Sequence, residues 1–469
     1  MAQFEVKISN FLGGFAPSYW DSDYPSYGNK NMAGKMTNID LTDPSYLQQG
    51  PGLNTLDDES GHVDTLIKGI LKGAYSSDTT YGVGGDNVYK IEPTTVSANY
   101  IIDGTNVSGE DVLQYQGDLY YSYNADNADI GKFDGSSWDD DWGSTTPGTG
   151  AGYLQKDVPH EMIEGGIEDW FYVTNGSYIA AYKGDKDELD KNALDLPNDC
   201  EVQSIAWGYG KAIITANRSG VSTDSNDVGS IFVWDGVNSN RWQREIRVGG
   251  KVGATYVKDG VVYIFWEDAS SNASKVGYLN GAQVQEITYF EGSIPKYYQV
   301  SDYKNFLIWA SNNEIYAWGA ADKQLESMHF QLADGGYDNI GGVSCPFSNV
   351  IIASHDGSTA YKLAEFSGYT TDSEWKSLCF DISGWDRHAF IRRCTINTND
   401  IPSDSQLDVT LRDSAGTALD SKSFTSGKKH IMKPKEYTED VRVELDFSNA
   451  SASNTIKVKN IQMYGKTQN

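Results

Sequence analysis

The sequence predicts an all-β chain: a seven-bladed β-propeller with an extended N-terminal arm and a C-terminal β-sandwich. Three observations predict it. The 469 residues include 48 Gly, 30 Tyr and 12 Trp, a mixture that suits short strands joined by tight turns and suits helices poorly. From about residue 65 onward an apolar strand, a turn, a very apolar strand, a turn and an aromatic strand recur as one unit. Beyond about residue 377 that unit gives way to plain alternation of polar and apolar residues.

Residues 1–60 read as the arm. They run through Gly-Gly-Phe-Ala-Pro-Ser-Tyr-Trp and Asp-Pro-Ser-Tyr-Leu with little alternation, which suits a segment laid across another surface. That surface is either a neighbouring subunit or the chain's own propeller.

Residues 61–376 read as the propeller. The clearest unit runs from Gly253 to Val257, turns at Lys258-Asp259-Gly260, continues through Val261 to Trp266, and closes on Asn280-Gly281. Asp-Gly and Asn-Gly tolerate positive φ and mark hairpins. Taking Tyr81, Leu119, Phe171, Ile213, Val262, Leu307 and Ile351 as equivalent, the separations run from 38 to 52 residues, close to the roughly 40–50 residues of a four-stranded blade. Near-continuous apolar strands such as 306–310 fit a middle strand covered on both faces. The stretch 185–194 (DKDELDKNAL) has helical composition, but it is charged all round and reads as a solvated excursion between strands.

Residues 377–469 read as the sandwich. Segments 388–396, 406–412, 440–447 and 455–464 alternate polar with apolar residues, as two facing sheets require.

Charge excludes some functions. Against 65 acidic residues stand 37 basic ones, a formal charge of -28 and a pI near 4.5. Direct nucleic-acid binding needs clustered Lys and Arg, so it is not expected as the main role. No run of about 18 apolar residues is present, so no membrane insertion is expected, and the N-terminus shows no secretory signal. Cys200, Cys345, Cys379 and Cys394 lack metal-ligand spacing and read as free thiols, with Cys379–Cys394 pairing as the alternative.

Catalysis is not expected. No two of the six histidines lie within five positions of each other, so neither a metal site nor a cofactor is predicted. There is no G-x-S-x-G elbow, and the glycines at 148–152 follow a loop instead of a strand. Among enzymes, glycoside hydrolysis is the class to test. Glu164, Glu168, Asp169 and Glu267 are its candidate carboxylates, unpaired by spacing, and 225–234 matches a sialidase-type turn once. The Asp-rich stretches 124–129 and 139–141 lack the alternating calcium-loop pattern and read as turns.

The passage Asn10-Phe11-Leu12-Gly13-Gly14-Phe15-Ala16-Pro17, continuing through residues 39–53, resembles the opening of virion proteins encoded among tailed-phage morphogenesis genes. The overall plan resembles tail nozzle and hub proteins of short-tailed phages, although here the propeller is nearly uninterrupted. The resemblance implies a non-enzymatic structural component of the virion's tail or head–tail region. Such a chain oligomerises in the particle and assembles through its arm and its sandwich. Its partners would be other virion proteins of the tail tube, adaptor or capsid, with Phe11, Phe15, Tyr19 and Trp20 as apolar arm anchors. The alternative class is a receptor-binding protein that takes host-surface glycan, with Trp138, Trp142, Trp170 and Trp242 as stacking platforms. A propeller glycosidase is the third.

Overall fold

Hairpin turns cut the chain into short antiparallel strands. Asp259 and Gly260 both take positive φ, 51° and 77°, the geometry a two-residue hairpin requires, and they join Val252–Lys258 to Val261–Glu267. The computed structural model describes residues 3–8, 11, 33–40, 43, 45–58, 62–145, 152–166, 170–184, 189–218, 228–238, 241–269, 273–319, 326–331, 339–355, 360–382 and 388–467. Over these the chain is all-β, with short helical turns such as Trp142–Thr145 and Tyr297–Gln299.

Seven four-stranded antiparallel sheets account for most of the described strands. The first holds Gly69–Ile70, Thr80–Gly84, Asn87–Glu92 and Thr95–Ile101. Ser108–Tyr115, Asp118–Asn124, Asp129–Phe133 and Trp138–Asp139 form the second. Met162–Glu164, Phe171–Asn175, Tyr178–Tyr182 and Leu189–Asp195 form the third, and Cys200–Gly208, Lys211–Arg218, Gly229–Trp234 and Arg244–Arg247 the fourth. The fifth is Val252–Lys258, Val261–Glu267, Ser274–Asn280 and Gln283–Phe290; the sixth is Val300–Tyr303, Phe306–Ser311, Glu314–Gly319 and Glu326–Gln331. In the seventh, Val343–Ser344, Ile351–His355 and Tyr361–Ser367 are completed by an upstream strand, Gly52–Asp58. All seven positions taken as equivalent from their spacing fall in the second strands.

Packing explains the apolar middle strands. Along Phe306–Ser311, Phe306, Ile308 and Ala310 share a core with Val343 and Ile352 of the seventh sheet. Leu307 and Trp309 point the other way, towards Ala254 and Phe265 of the fifth. A strand alternates its faces, and here both faces are buried. The same pairing links the first sheet to the second, the second to the third, the third to the fourth and the fourth to the fifth. The cycle returns to its start, because Ile351, Ala353 and Leu363 of the seventh sheet pack with Tyr89 and Ile91 of the first. The small sheets are thus propeller-like in arrangement.

Two larger sheets hold the remaining described strands. One places Ile39–Asp40 and Leu47–Gln49 beside Lys457–Thr467, which also pairs with Ala389–Thr398 and Gln3–Ile8. The other runs Ala33–Thr37, Asp372–Ser377, Asp440–Asn449, Ser405–Arg412 and Ala418–Phe424. They share an apolar core in which Trp375, Ile391, Val409, Leu445 and Met463 are buried.

The described part of residues 1–60 is woven into the chain's own sheets, where the sequence predicts an extended arm. Gln3–Ile8 lies antiparallel to the last strand, with Val6 opposite Met463, and buries Val6 and Ile8. The physical reason is the long Lys457–Thr467 strand, whose edge needs a partner. The boundaries shift accordingly: Gly52–Asp58 belongs to the seventh small sheet, and Asp372–Ser377 already belongs to a large one. Leu189–Asp195, which overlaps the stretch read as a solvated excursion, is the fourth strand of the third sheet. It buries Leu189, Lys191, Ala193 and Leu194.

Candidate functional site

Buried polar groups gather on and beside the first strands of the small sheets. Register shifts mark three of these strands, between Gly109 and Asp111, Val202 and Ser204, and Val252 and Thr255. Such irregularities re-aim side chains, and Glu110 and Gln203, the residues displaced by two of them, line a cavity of about 590 Å³. Its wall also includes Lys68, Lys251, Tyr297 and Tyr298.

Glu110 is 6% exposed and fully engaged. Lys68 Nζ stands 2.5 Å from its Oε1, and the Tyr297 hydroxyl donates to Oε2 at 2.9 Å. Burial, then the Glu110 charge, holds the Tyr297 phenol well above its ordinary range.

A relay of acceptors then joins sheet to sheet. Asp111 accepts from the backbone N–H of Val112 at 2.9 Å and of Met162, in the third sheet, at 2.8 Å. Glu161 accepts from Ser204 Oγ at 2.7 Å and from the Ile205 N–H at 2.8 Å, both in the fourth. Ser204 Oγ in turn accepts from the Thr255 N–H of the fifth at 3.0 Å. Burial pushes Glu161 up to about 8 and Asp111 up to about 6. A carboxyl near neutrality marks a candidate acid or base, yet here its oxygen is held by two donors of the next sheet. The chemistry this arrangement performs is to satisfy buried backbone groups across sheet junctions.

A second set of bonds repeats from sheet to sheet. Ser122 Oγ donates to the His160 carbonyl at 2.6 Å, and Thr215 Oγ1 donates to the Gly253 carbonyl at 2.7 Å. Asn124 brackets Asp157 N and Val158 O as Asn217 brackets both backbone groups of Val252. The signal was in the sequence as Ser122-x-Asn124 and Thr215-x-Asn217, together with acidic residues at the start of apolar strands.

No family model matches the chain, and no curated protein matches it. Among solved structures, a crystal structure of the computationally designed Ika8 protein is similar at 13% identity and a TM-score of 0.41, covering 67% of this chain and 99% of that one. That likeness carries nothing about function.

The residues singled out from sequence lie elsewhere. Phe11 is buried edge-on against Trp375, ring centroids 5.4 Å apart; Phe15, Tyr19 and Trp20 lie outside the described residues. The four tryptophans do not converge. Trp138 is stacked between Tyr100 at 4.5 Å and Phe133 at 4.2 Å. Trp142 packs edge-on against Tyr120 and Tyr182. Trp170 is buried with Lys183 Nζ 4.9 Å from its ring centre, and Trp242 sets its edge against Phe232. These rings serve three different sheet junctions. Packed in this way, they do not form one shared platform.

The remaining candidates are dispersed too. Glu164 and Glu267 belong to the third and fifth sheets, while Glu168, Asp169 and residues 225–227 lie outside the described residues. Asp140 accepts from the Tyr100 and Tyr121 hydroxyls and the Asp103 N–H, so it ties the first sheet to the second. Among the described residues no cluster of three His, Cys, Asp or Glu is placed to hold a metal.

Proposed function

We propose that the seven small sheets are the blades of a β-propeller, that the two larger sheets form a β-sandwich, and that the chain is a non-enzymatic structural component of a tailed-phage virion. Gly52–Asp58, as fourth strand of the seventh sheet, would close the ring with a strand from the opposite end of the propeller sequence. The buried acidic residues Glu110, Asp111 and Glu161 support a scaffold role, since each is engaged by a neighbouring sheet or loop.

The observation that carries the assembly reading is the anchoring of the N-terminal strands. Gln3–Ile8 is fixed in one large sheet and Ala33–Thr37 in the other. Both ends of the intervening segment, which carries Phe15, Tyr19 and Trp20, are therefore held at the sandwich. A segment tethered at both ends presents apolar side chains to a neighbouring subunit at a lower ordering cost than a free arm. Partners are other virion proteins, or further copies of this chain.

The test is incorporation. Particles produced with a tagged Phe15→Ala, Tyr19→Ala, Trp20→Ala triple variant should lack the chain after density-gradient purification, whereas the tagged wild type should co-purify with them. The variant's melting temperature should match the wild type's. Equal incorporation of both would refute the assembly role of this segment, and absence of the wild type from particles would refute the virion assignment.

A further inference from the structure

We propose that the cleft between the fourth and fifth small sheets binds an acidic saccharide, meaning a sugar ring bearing a carboxylate. The site is independent of the assembly role, and none of the four tryptophans contributes to it.

The cleft has a volume of about 470 Å³ and is lined by Tyr209, Lys211, Arg244 and Asn280 over a floor that includes Ile213 and Leu279. Its charge sets it apart. The chain carries 65 acidic and 37 basic residues, yet among the described residues two cations and no carboxylate line this cleft. The cavity beside Lys68 and Tyr297 includes Glu110 and Glu201 in its wall, and a third cavity includes Asp40 and Asp43. Asp235 lies within electrostatic reach of Lys211. It is committed to its own turn, accepting from the Val237 and Asn238 N–H groups at 3.0 Å each.

Tyr209 is the second observation. It sits at the tip of the hairpin joining Cys200–Gly208 to Lys211–Arg218, with φ 55°, a conformation that Asn, Asp or Gly adopts readily and a bulky residue does not. It is nevertheless 57% exposed, so core packing is not what requires an aromatic ring there. Its hydroxyl donates to the Leu279 carbonyl at 3.3 Å and accepts from the Val262 N–H at 3.4 Å, and these bonds fix the ring across the sheet junction. Strained backbone that holds an exposed side chain points to a site.

The chemistry follows from the lining. A fixed tyrosine face and apolar floor suit the C–H face of a sugar ring. Arg244 gives one Nη1 donor to the Gly281 carbonyl at 2.9 Å, which orients the guanidinium. Its remaining donors and Lys211 suit a carboxylate, and the Gln243 and Asn280 amides suit hydroxyls.

The test uses the full chain, with methyl β-D-glucuronide and N-acetylneuraminic acid as acidic probes and methyl β-D-glucoside as the neutral control, read by saturation-transfer NMR and titration. At least one acidic sugar should bind and the glucoside should not. Arg244→Gln should weaken binding about tenfold, the scale of one charge-assisted hydrogen bond. Tyr209→Asn should lose binding while staying folded with a melting temperature close to the wild type's, because asparagine adopts this backbone conformation readily and the relief offsets the two lost hydrogen bonds. The proposal fails if neither acidic sugar binds, if the glucoside binds equally well, or if both variants bind like the wild type.

Discussion

Single side chains set a pH dependence that can be signed. Glu161 is held at about 8 against an ordinary 4.5, first by burial, and Asp111 at about 6 against 3.8 for the same leading reason. Between the ordinary and the folded values, the folded chain keeps a proton that the unfolded chain has released. Stability from these two groups is therefore complete below about pH 4 and declines as pH rises through about 6 and then about 8. The melting temperature of Glu161→Gln should fall less than that of the wild type between about pH 5 and about pH 9, since glutamine cannot ionise. Parallel curves for the two proteins would rule out Glu161 as the titrating group. The sequence shows Glu110, Asp111 and Glu161 as acidic residues near apolar strands, but their burial is not legible there. Their burial arises only when first strands from several sheets converge, over separations no local pattern encodes.

At the scale of strands, the apolar pattern of the middle positions was the legible part. Leu307 and Trp309 face one neighbouring sheet and Phe306 and Ile308 the other, so a run of apolar residues marked the strand. Trp309, 1% exposed, meets Phe265 at 5.4 Å and Phe290 at 5.3 Å. Trp309→Ala should cost about 3–5 kcal/mol, read from a urea unfolding midpoint. Fourth strands were less legible, because one edge and part of a face meet water. Leu189–Asp195 alternates burial with Asp190 and Asn192 between its buried positions, which looks like a charged loop when its partner is unknown. Gly52–Asp58 was missed for a different reason: its partner, Tyr361–Ser367, lies about three hundred residues away (363 − 57 = 306). As a fourth strand it pairs on one side only, so of the variants Leu53→Pro and Asn54→Pro, one removes a ladder donor and the other an outward N–H. The first should lose about 3 kcal/mol and the second clearly less, and equal losses would argue against this pairing.

Across the whole molecule, residues near the N-terminus hold three separate sheets. Gln3–Ile8 and Leu47–Gln49 enter one large sheet, Ala33–Thr37 the other, and Gly52–Asp58 the seventh small one. Gln49 is completely buried where these meet, its amide donating to the Thr370 carbonyl at 2.9 Å and accepting from Asn449 Nδ2 at 2.6 Å. Deleting residues 1–30 would strip Val6, Ile8 and Phe11 from the shared core. The truncated chain should therefore melt earlier and more broadly than the wild type in calorimetry. The sequence made the β-rich character and the recurring strand–turn unit readable, because both are local. It hid the weaving of the N-terminal strands, because those pairings join opposite ends of the chain. This weaving also has a consequence for synthesis on the ribosome. Ile8 waits for Ile461 (461 − 8 = 453), which at roughly 5–20 residues per second is about 20–90 seconds after it is made. Throughout that interval the nascent chain displays an unsatisfied strand complementary to any finished copy's last one. Crowded polysomes would then favour exchange of N-termini between neighbouring chains, and slower, more dilute expression should raise the yield of correctly closed monomer.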